Sequence, residues 1–229
     1  MQAAWISPQS SDDVCLQHFL AAHGVDLIFD VGANKGQYAE KVFAHGYGGR
    51  IVSFEPLSAP LAVLGAKSRE RPGWEVAERC CIGDRTGEIE VNISESSIAS
   101  SILPLSAETP PGVPGRSLRG HREGAHVPAP LDERFDRHLG EATRPFLKID
   151  VQGFESEVLD GARRSIPRLV GMQVELSLVD AYEGQKGSFS QMIRRIEEMG
   201  FELIRFFPSF IDTATGRWLQ ADGLFFRSG

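Results

Sequence analysis

The chain has 229 residues, 41% of them hydrophobic and 24% charged, which is enough for one α/β domain with a sizeable core and too little for two. A formal net charge of −7 repels a phosphate backbone on average and argues against a nucleic-acid partner. No apolar run is long enough to cross a bilayer, and residues 1–13 lack the basic and apolar regions of a signal peptide, so a cytoplasmic location is expected.

In chain order, a helix capped by Ser11 or Asp12 carries Val14, Leu16, Phe19 and Leu20 on its apolar face and stops at Gly24. Asp26–Gly32 reads as a strand buried on both faces, and Gln37–His45 as a helix. Arg50–Glu55 is a second strand, ended by Pro56; Leu57–Glu70 is a helix; Glu75–Ile82 is a third strand. Glu88–Ile93 alternates like an edge strand or hairpin arm. Phe146–Asp150 is a central strand, followed by a helix through Val158, Leu159 and Ala162 and a strand over Gly171–Leu176. Ser188 caps a helix with Met192, Ile193, Ile196 and Met199 on one face. Phe201–Phe207 and Gly223–Arg227 form the last two strands. Such alternation predicts a mainly parallel sheet covered on both faces.

Residues 104–130 interrupt this pattern with Pro110, Pro111, Pro114 and Pro128 and four glycines. A loop of that length is either functional, as a lid or acceptor loop, or disordered. The three cysteines, Cys15, Cys80 and Cys81, are odd in number, and the adjacent pair suits neither an ordinary disulfide nor a zinc site. Reduced thiols are expected.

The chemistry concentrates in Asp30-Val31-Gly32-Ala33-Asn34-Lys35-Gly36-Gln37, directly between a strand and a helix. Gly32 allows a tight turn, Gly36 lets a ligand approach the backbone, and the helix N–H groups face a carboxylate. Position 34 is Asn, so this is not the dinucleotide fingerprint, and no G-K-[ST] makes it a phosphate loop. Glu55 closes the second strand about twenty residues on, where an acid can accept both hydroxyls of an adenosine ribose. Asp84, after the third strand, suits an adenine amino group.

These residues resemble the FkbM-type methyltransferases. The resemblance rests on F-D-V-G-A-N-K-G-Q at 29–37, S-F-E-P at 53–56, C-I-G-D at 81–84, A-S-S-I-L-P at 99–104, P-L-D at 130–132 and L-K-I-D-V-Q-G-F-E-S-E-V-L-D-G-A at 147–162. The family usually has Glu where this chain has Gln152. The resemblance implies a Rossmann-like class I methyltransferase: a seven-stranded, mostly parallel sheet with one reversed strand. It implies S-adenosyl-L-methionine as cofactor, near Asp30, Gly32, Ala33, Asn34, Gly36, Gln37, Glu55, Pro56, Ile82, Asp84, Ser101 and Asp150. It also implies O-methylation of a sugar or polyketide-type natural product.

Methyl transfer to an alcohol needs alignment and removal of the hydroxyl proton. Asp150 and Glu175, at neighbouring strand ends, are the candidate acids, as base and orienter or as ligands of a magnesium ion, the less favoured alternative. Lys148 lies two residues before Asp150, hence on the same side, and pairs with either acid. His121 and His126, in the 104–130 segment, are competing bases. Among the late aromatic residues, Trp218 is the candidate to stack on a sugar. A small-molecule or glycan acceptor is the expected partner, and self-association stays open. Two other readings, a nucleotide-dependent oxidoreductase and a non-catalytic cofactor-binding domain, remain alternatives.

Overall fold

The computed structural model describes residues 11–87, 89–93, 103–104, 106, 121–125 and 128–227. Its strands are β1 (Leu27–Val31), β2 (Arg50–Phe54), β3 (Trp74–Val76), β4 (Cys81–Ile82), β5 (Ile89–Ile93), β6 (His121–Ala125), β7 (Pro128–Ala129), β8 (Pro145–Ile149), β9 (Gly171–Ser177), β10 (Phe201–Ile211) and β11 (Trp218–Arg227). Its helices are α1 (Asp12–Ala22), α2 (Gln37–Ala44), α3 (Ser58–Ser68), α4 (Leu131–Leu139), α5 (Glu155–Asp160) and α6 (Phe189–Glu198).

Seven strands form one sheet in the order β10-β11-β9-β8-β1-β2-β3. β11 runs antiparallel to both neighbours, and the other neighbouring pairs are parallel. The central strands are apolar on both faces, and each face carries its own core. On one, Ile28, Ile51, Phe146 and Phe226 pack against Leu16 and Leu20 of α1, Tyr38 and Val42 of α2 and Leu64 of α3. On the other, Phe29, Phe54, Leu147 and Val174 meet Phe135 of α4, Val158 of α5 and Ile196 of α6. The α/β layering with a single reversed strand is the architecture expected from the sequence.

Three local expectations change. Glu75–Ile82 is not one strand: β3 stays in the main sheet, while β4 leaves it to pair with β7. The break falls on polar residues with partners elsewhere, since Glu78 meets Arg134 and Arg137 of α4 and Arg79 Nε donates to the Pro56 carbonyl at 2.7 Å. Residues 104–130 are not wholly irregular, because β6 pairs antiparallel with β5 and β7 pairs parallel with β4; residues 105, 107–120, 126 and 127 lie outside the described residues. α4 is an addition to the elements expected, although Leu131 and Phe135 lie one turn apart and are fully buried. All three cysteines are buried, and among the described residues none forms a disulfide.

Candidate active site

The turn after β1 is set by backbone conformation. Gly32 has φ 80° and Asn34 φ 49°, left-handed values that cost a side chain strain at the first and suit Asn at the second. A Cβ on Gly32 would run into the Asp150 carbonyl, so the turn lies directly on the end of β8. Gly36 caps α2 with φ 85°, and a Cβ there would meet the Trp74 ring. The positive φ and the packing against Trp74 both call for glycine here, and Gly36 itself is not on the wall of the cavity described below.

Glu55 braces this turn. Its carboxylate accepts the Asn34 N–H at 2.8 Å and the Leu57 N–H at 2.9 Å. Burial pushes its pKa up to about 7, against those two hydrogen bonds.

A row of polar residues crosses the sheet beneath. Ser53, Asp30, Lys148 and Gln173 are adjacent in register and share one face, and each is buried. Ser53 Oγ donates to Asp30. Lys148 Nζ lies 3.2 Å from Asp30 Oδ1 and 3.5 Å from Asp150 Oδ2, and donates to the Gly32 carbonyl at 3.2 Å. Burial opposes the Lys148 charge, but the two carboxylates outweigh it and raise its pKa. Lys148 therefore pairs with Asp150, as expected, and with Asp30, but not with Glu175.

One step nearer the strand ends, Gln152 joins the two predicted acids. It holds φ 56°, a strained value for a non-glycine residue and one that clusters at functional sites. Glu155 fixes that turn by accepting the Val151 and Gly153 N–H groups at 3.2 and 3.1 Å. The Gln152 amide nitrogen then donates to Asp150 at 2.9 Å and to Glu175 at 2.8 Å, while Tyr182 donates its hydroxyl to the amide oxygen at 2.6 Å. Glu175 also accepts from Gln220 at 3.1 Å. Burial and the nearby Asp150 charge push the Glu175 carboxyl well up.

A cavity of about 320 Å³ opens above these residues, at the carboxyl ends of β1, β2 and β8. Gly32, Ala33, Asn34, Gln37, Glu55, Pro56, Ile82, Lys148 and Asp150 line it. Asp30 lies beneath its floor, fully buried, and Glu175 lies behind Gln152, off the wall. Asp84 lies 3.9 Å from the Arg85 guanidinium and is not on the cavity wall. His121 sits on β6, opposite Ile93; Ser101 and His126 lie outside the described residues. Trp218 is exposed and is not on the cavity wall.

Sequence reading missed Tyr38, Gln173 and Asp222 on the wall, and Glu155, Tyr182 and Gln220 behind it. A signal was present: Gln173, Glu175 and Ser177 alternate along β9, as do Gln220 and Asp222 along β11, marking one polar face on strands otherwise apolar.

A mostly parallel sheet with one reversed strand, and a glycine turn and acidic strand end around a cavity, define a Rossmann-like α/β domain with a ligand pocket at its strand ends. The model of the methyltransferase FkbM domain matches residues 30–203, and the chain belongs to that family. The 31-O-demethyl-FK506 methyltransferase FkbM of Streptomyces tacrolimicus is 26% identical over 215 residues, spanning 85% of this chain and 79% of its own. The methyltransferase domain of bacterial CtHen1-C superposes with a TM-score of 0.51 at 10% identity, covering 95% of this chain and 97% of that one. A putative RNA methyltransferase of Pyrococcus horikoshii gives 0.48 at 9% identity, over 95% and 82%. Among the described residues, no helix is long and apolar enough to cross a membrane.

Proposed function

We propose that the protein transfers a methyl group from S-adenosylmethionine to a hydroxyl of a sugar or polyketide-type small molecule. The observation that carries this reading is the cavity bounded by the glycine turn, Glu55 and Asp150. The residues fit the methyl donor. Glu55 keeps lone pairs free on both oxygens for ribose hydroxyls, and Ile82, Pro56 and Leu57 give an apolar bed for a planar base. The bound sulfonium supplies an activated methyl carbon.

The chain's own residues then position the acceptor oxygen and take its proton. Asp150 is suited to taking the proton, because its side chain is 36% exposed and lies on the cavity wall. Lys148 and Gln152 fix the carboxylate, and the turn under it is held by Glu155. Glu175 supports from behind. The Gln152 amide occupies the space between Asp150 and Glu175, so the two acids do not present an open oxygen pair to a cation, and the reaction we propose is magnesium-independent.

Turnover assays with a panel of hydroxylated acceptors test this. Asp150→Asn is expected to keep S-adenosylhomocysteine binding while turnover falls by roughly 10²–10⁴-fold, and chelator is expected to leave the wild type unchanged. Full activity in Asp150→Asn, with loss in His121→Ala, would move the base to β6.

A further inference from the structure

The loop that joins β9 to α6 brings one buried side chain up to the proposed base, and the chemistry proposed above does not use it. Tyr182 packs with Ala181 and Leu219, and Leu103 rests against the three. Its ring lies on Gly153, where a Cβ would come within 2.6 Å of the ring. The backbone on either side of it is tied to the stretch that begins at Leu103. Ser106 donates its N–H to the Ala181 carbonyl at 3.0 Å, and Glu183 donates its N–H to the Pro104 carbonyl at 2.8 Å. The hydroxyl therefore has a fixed place. Burial pushes the phenol pKa up, so the hydroxyl keeps its proton and serves as a donor.

What it meets is an amide with two unlike ends. The Tyr182 hydroxyl donates to the Gln152 oxygen at 2.6 Å, and the Gln152 nitrogen donates to Asp150 at 2.9 Å and to Glu175 at 2.8 Å. A half-turn of that amide would set its oxygen against an Asp150 oxygen, two acceptors with no hydrogen between them. The acids alone do not prevent this, because a Glu175 carboxyl pushed up by burial keeps a proton that it can donate to an amide oxygen. A phenol donor fixed on the far side decides the orientation. Donation to the amide oxygen also polarises the amide and strengthens its N–H groups as donors.

We infer that Tyr182 is a positioning residue for the methyl transfer, fixing through the Gln152 amide the place and direction of the Asp150 carboxylate that takes the acceptor's proton. The inference rests on the base proposed above and adds what aims it. Tyr182 is not on the cavity wall, so its loss is expected in kcat and not in the binding of donor or acceptor.

A double-mutant cycle of Tyr182→Phe with Asp150→Asn tests it. Turnover is measured with S-adenosylmethionine and the best acceptor from a panel of methyl glycosides and macrolide alcohols. Tyr182→Phe keeps the ring on Gly153 and removes only the hydroxyl. It is expected to lower kcat roughly ten-fold, within the coupling found inside one hydrogen-bond network. Acceptor KM and S-adenosylhomocysteine affinity are expected to stay as in wild type, the affinity also reporting that the variant is folded. In the Asp150→Asn background, where no carboxylate remains to aim, Tyr182→Phe is expected to leave the residual turnover unchanged. An equal loss in both backgrounds is the mark of general damage and overturns the inference, as does a raised KM with kcat unchanged. Wild-type kcat in Tyr182→Phe, with turnover lost in Asp150→Asn, overturns the role of Tyr182 and leaves the base in place. Wild-type turnover in Asp150→Asn removes the base, and the positioning role falls with it.

Discussion

Single residues in this site are held in protonation states that burial sets against their neighbours. Glu55 shows this with a definite sign. Its carboxyl is raised from 4.5 to about 7 in the fold. Below pH 4.5 the folded and unfolded chains both carry the proton. Between 4.5 and 7 the unfolded chain releases it while the fold keeps it, so stability falls as pH rises, and above 7 the loss is complete. The ligand-free protein is therefore expected to lose stability across that window, by at most about 3.4 kcal/mol at 1.36 kcal/mol per pH unit. In Glu55→Gln this contribution to the slope disappears. Urea titrations at pH 5 and pH 8 measure it, and an unchanged difference between the two pH values would assign the slope elsewhere. Gln152→Glu works in the same direction. It replaces an amide donor by a third carboxylate between Asp150 and Glu175, opposite the Tyr182 hydroxyl. The variant is expected to be less stable than wild type at pH 8 by on the order of 2–4 kcal/mol, and closer to it at pH 5, where the added group holds a proton. Magnesium is expected to raise the melting temperature of the variant and not of wild type.

At the scale of elements, the ends of helices and strands carry separable contributions. α6 begins with a reciprocal capping box, in which Ser188 receives the third helical N–H and the Gln191 side chain accepts the Ser188 N–H at 2.8 Å. Ser188→Ala is expected to cost about 1 kcal/mol by thermal unfolding, with turnover unchanged, since α6 packs on the sheet face opposite α2 and contributes no cavity wall. A matching loss of turnover would tie α6 to the site. The elements legible in the sequence were those whose pattern is local. β1, β2 and β8 are short, mostly apolar segments, β9 alternates apolar and polar residues, and Ser11 and Ser188 are capping residues standing just before periodic segments. β4 and β7 were not legible as a pair, because a two-residue bridge has no period and is defined only by a partner far along the chain. α4 was masked by the adjoining proline-rich segment. The glycine turn, Glu55 and Asp150 could be read because each closes a recognisable strand. Tyr38 and Asp222 could not: a tyrosine in the first turn of a helix and an acid within a strand acquire meaning only when the topology places β11 beside β9.

For the whole molecule, the reversed strand is what completes the cavity. β11 enters between β9 and β10 from the opposite direction and sets Asp222 in register with Glu175, so the last strand of the chain supplies a wall to a pocket begun by the first. The acidic balance of the chain and the match to a family of methyltransferases bear on surface and lineage; the shape of the site follows from strand order. The polar row beneath the site has a second consequence, for the order of assembly. Asp30 is fully buried and its counter-charge, Lys148, comes from a strand whose contact with the glycine turn spans 116 residues of chain. An acid cannot be sealed into an apolar interior before its partner arrives without a large desolvation cost. A slip of β8 by one residue would turn Lys148 toward the opposite apolar face, among Phe29, Phe54 and Phe135, and leave Asp30 alone. The row therefore acts as a lock on alignment: β1 and β8 can close only in one register, and only after more than half of the chain is available. The glycine turn, first among the site's parts in sequence, is thus among the last to become rigid during folding.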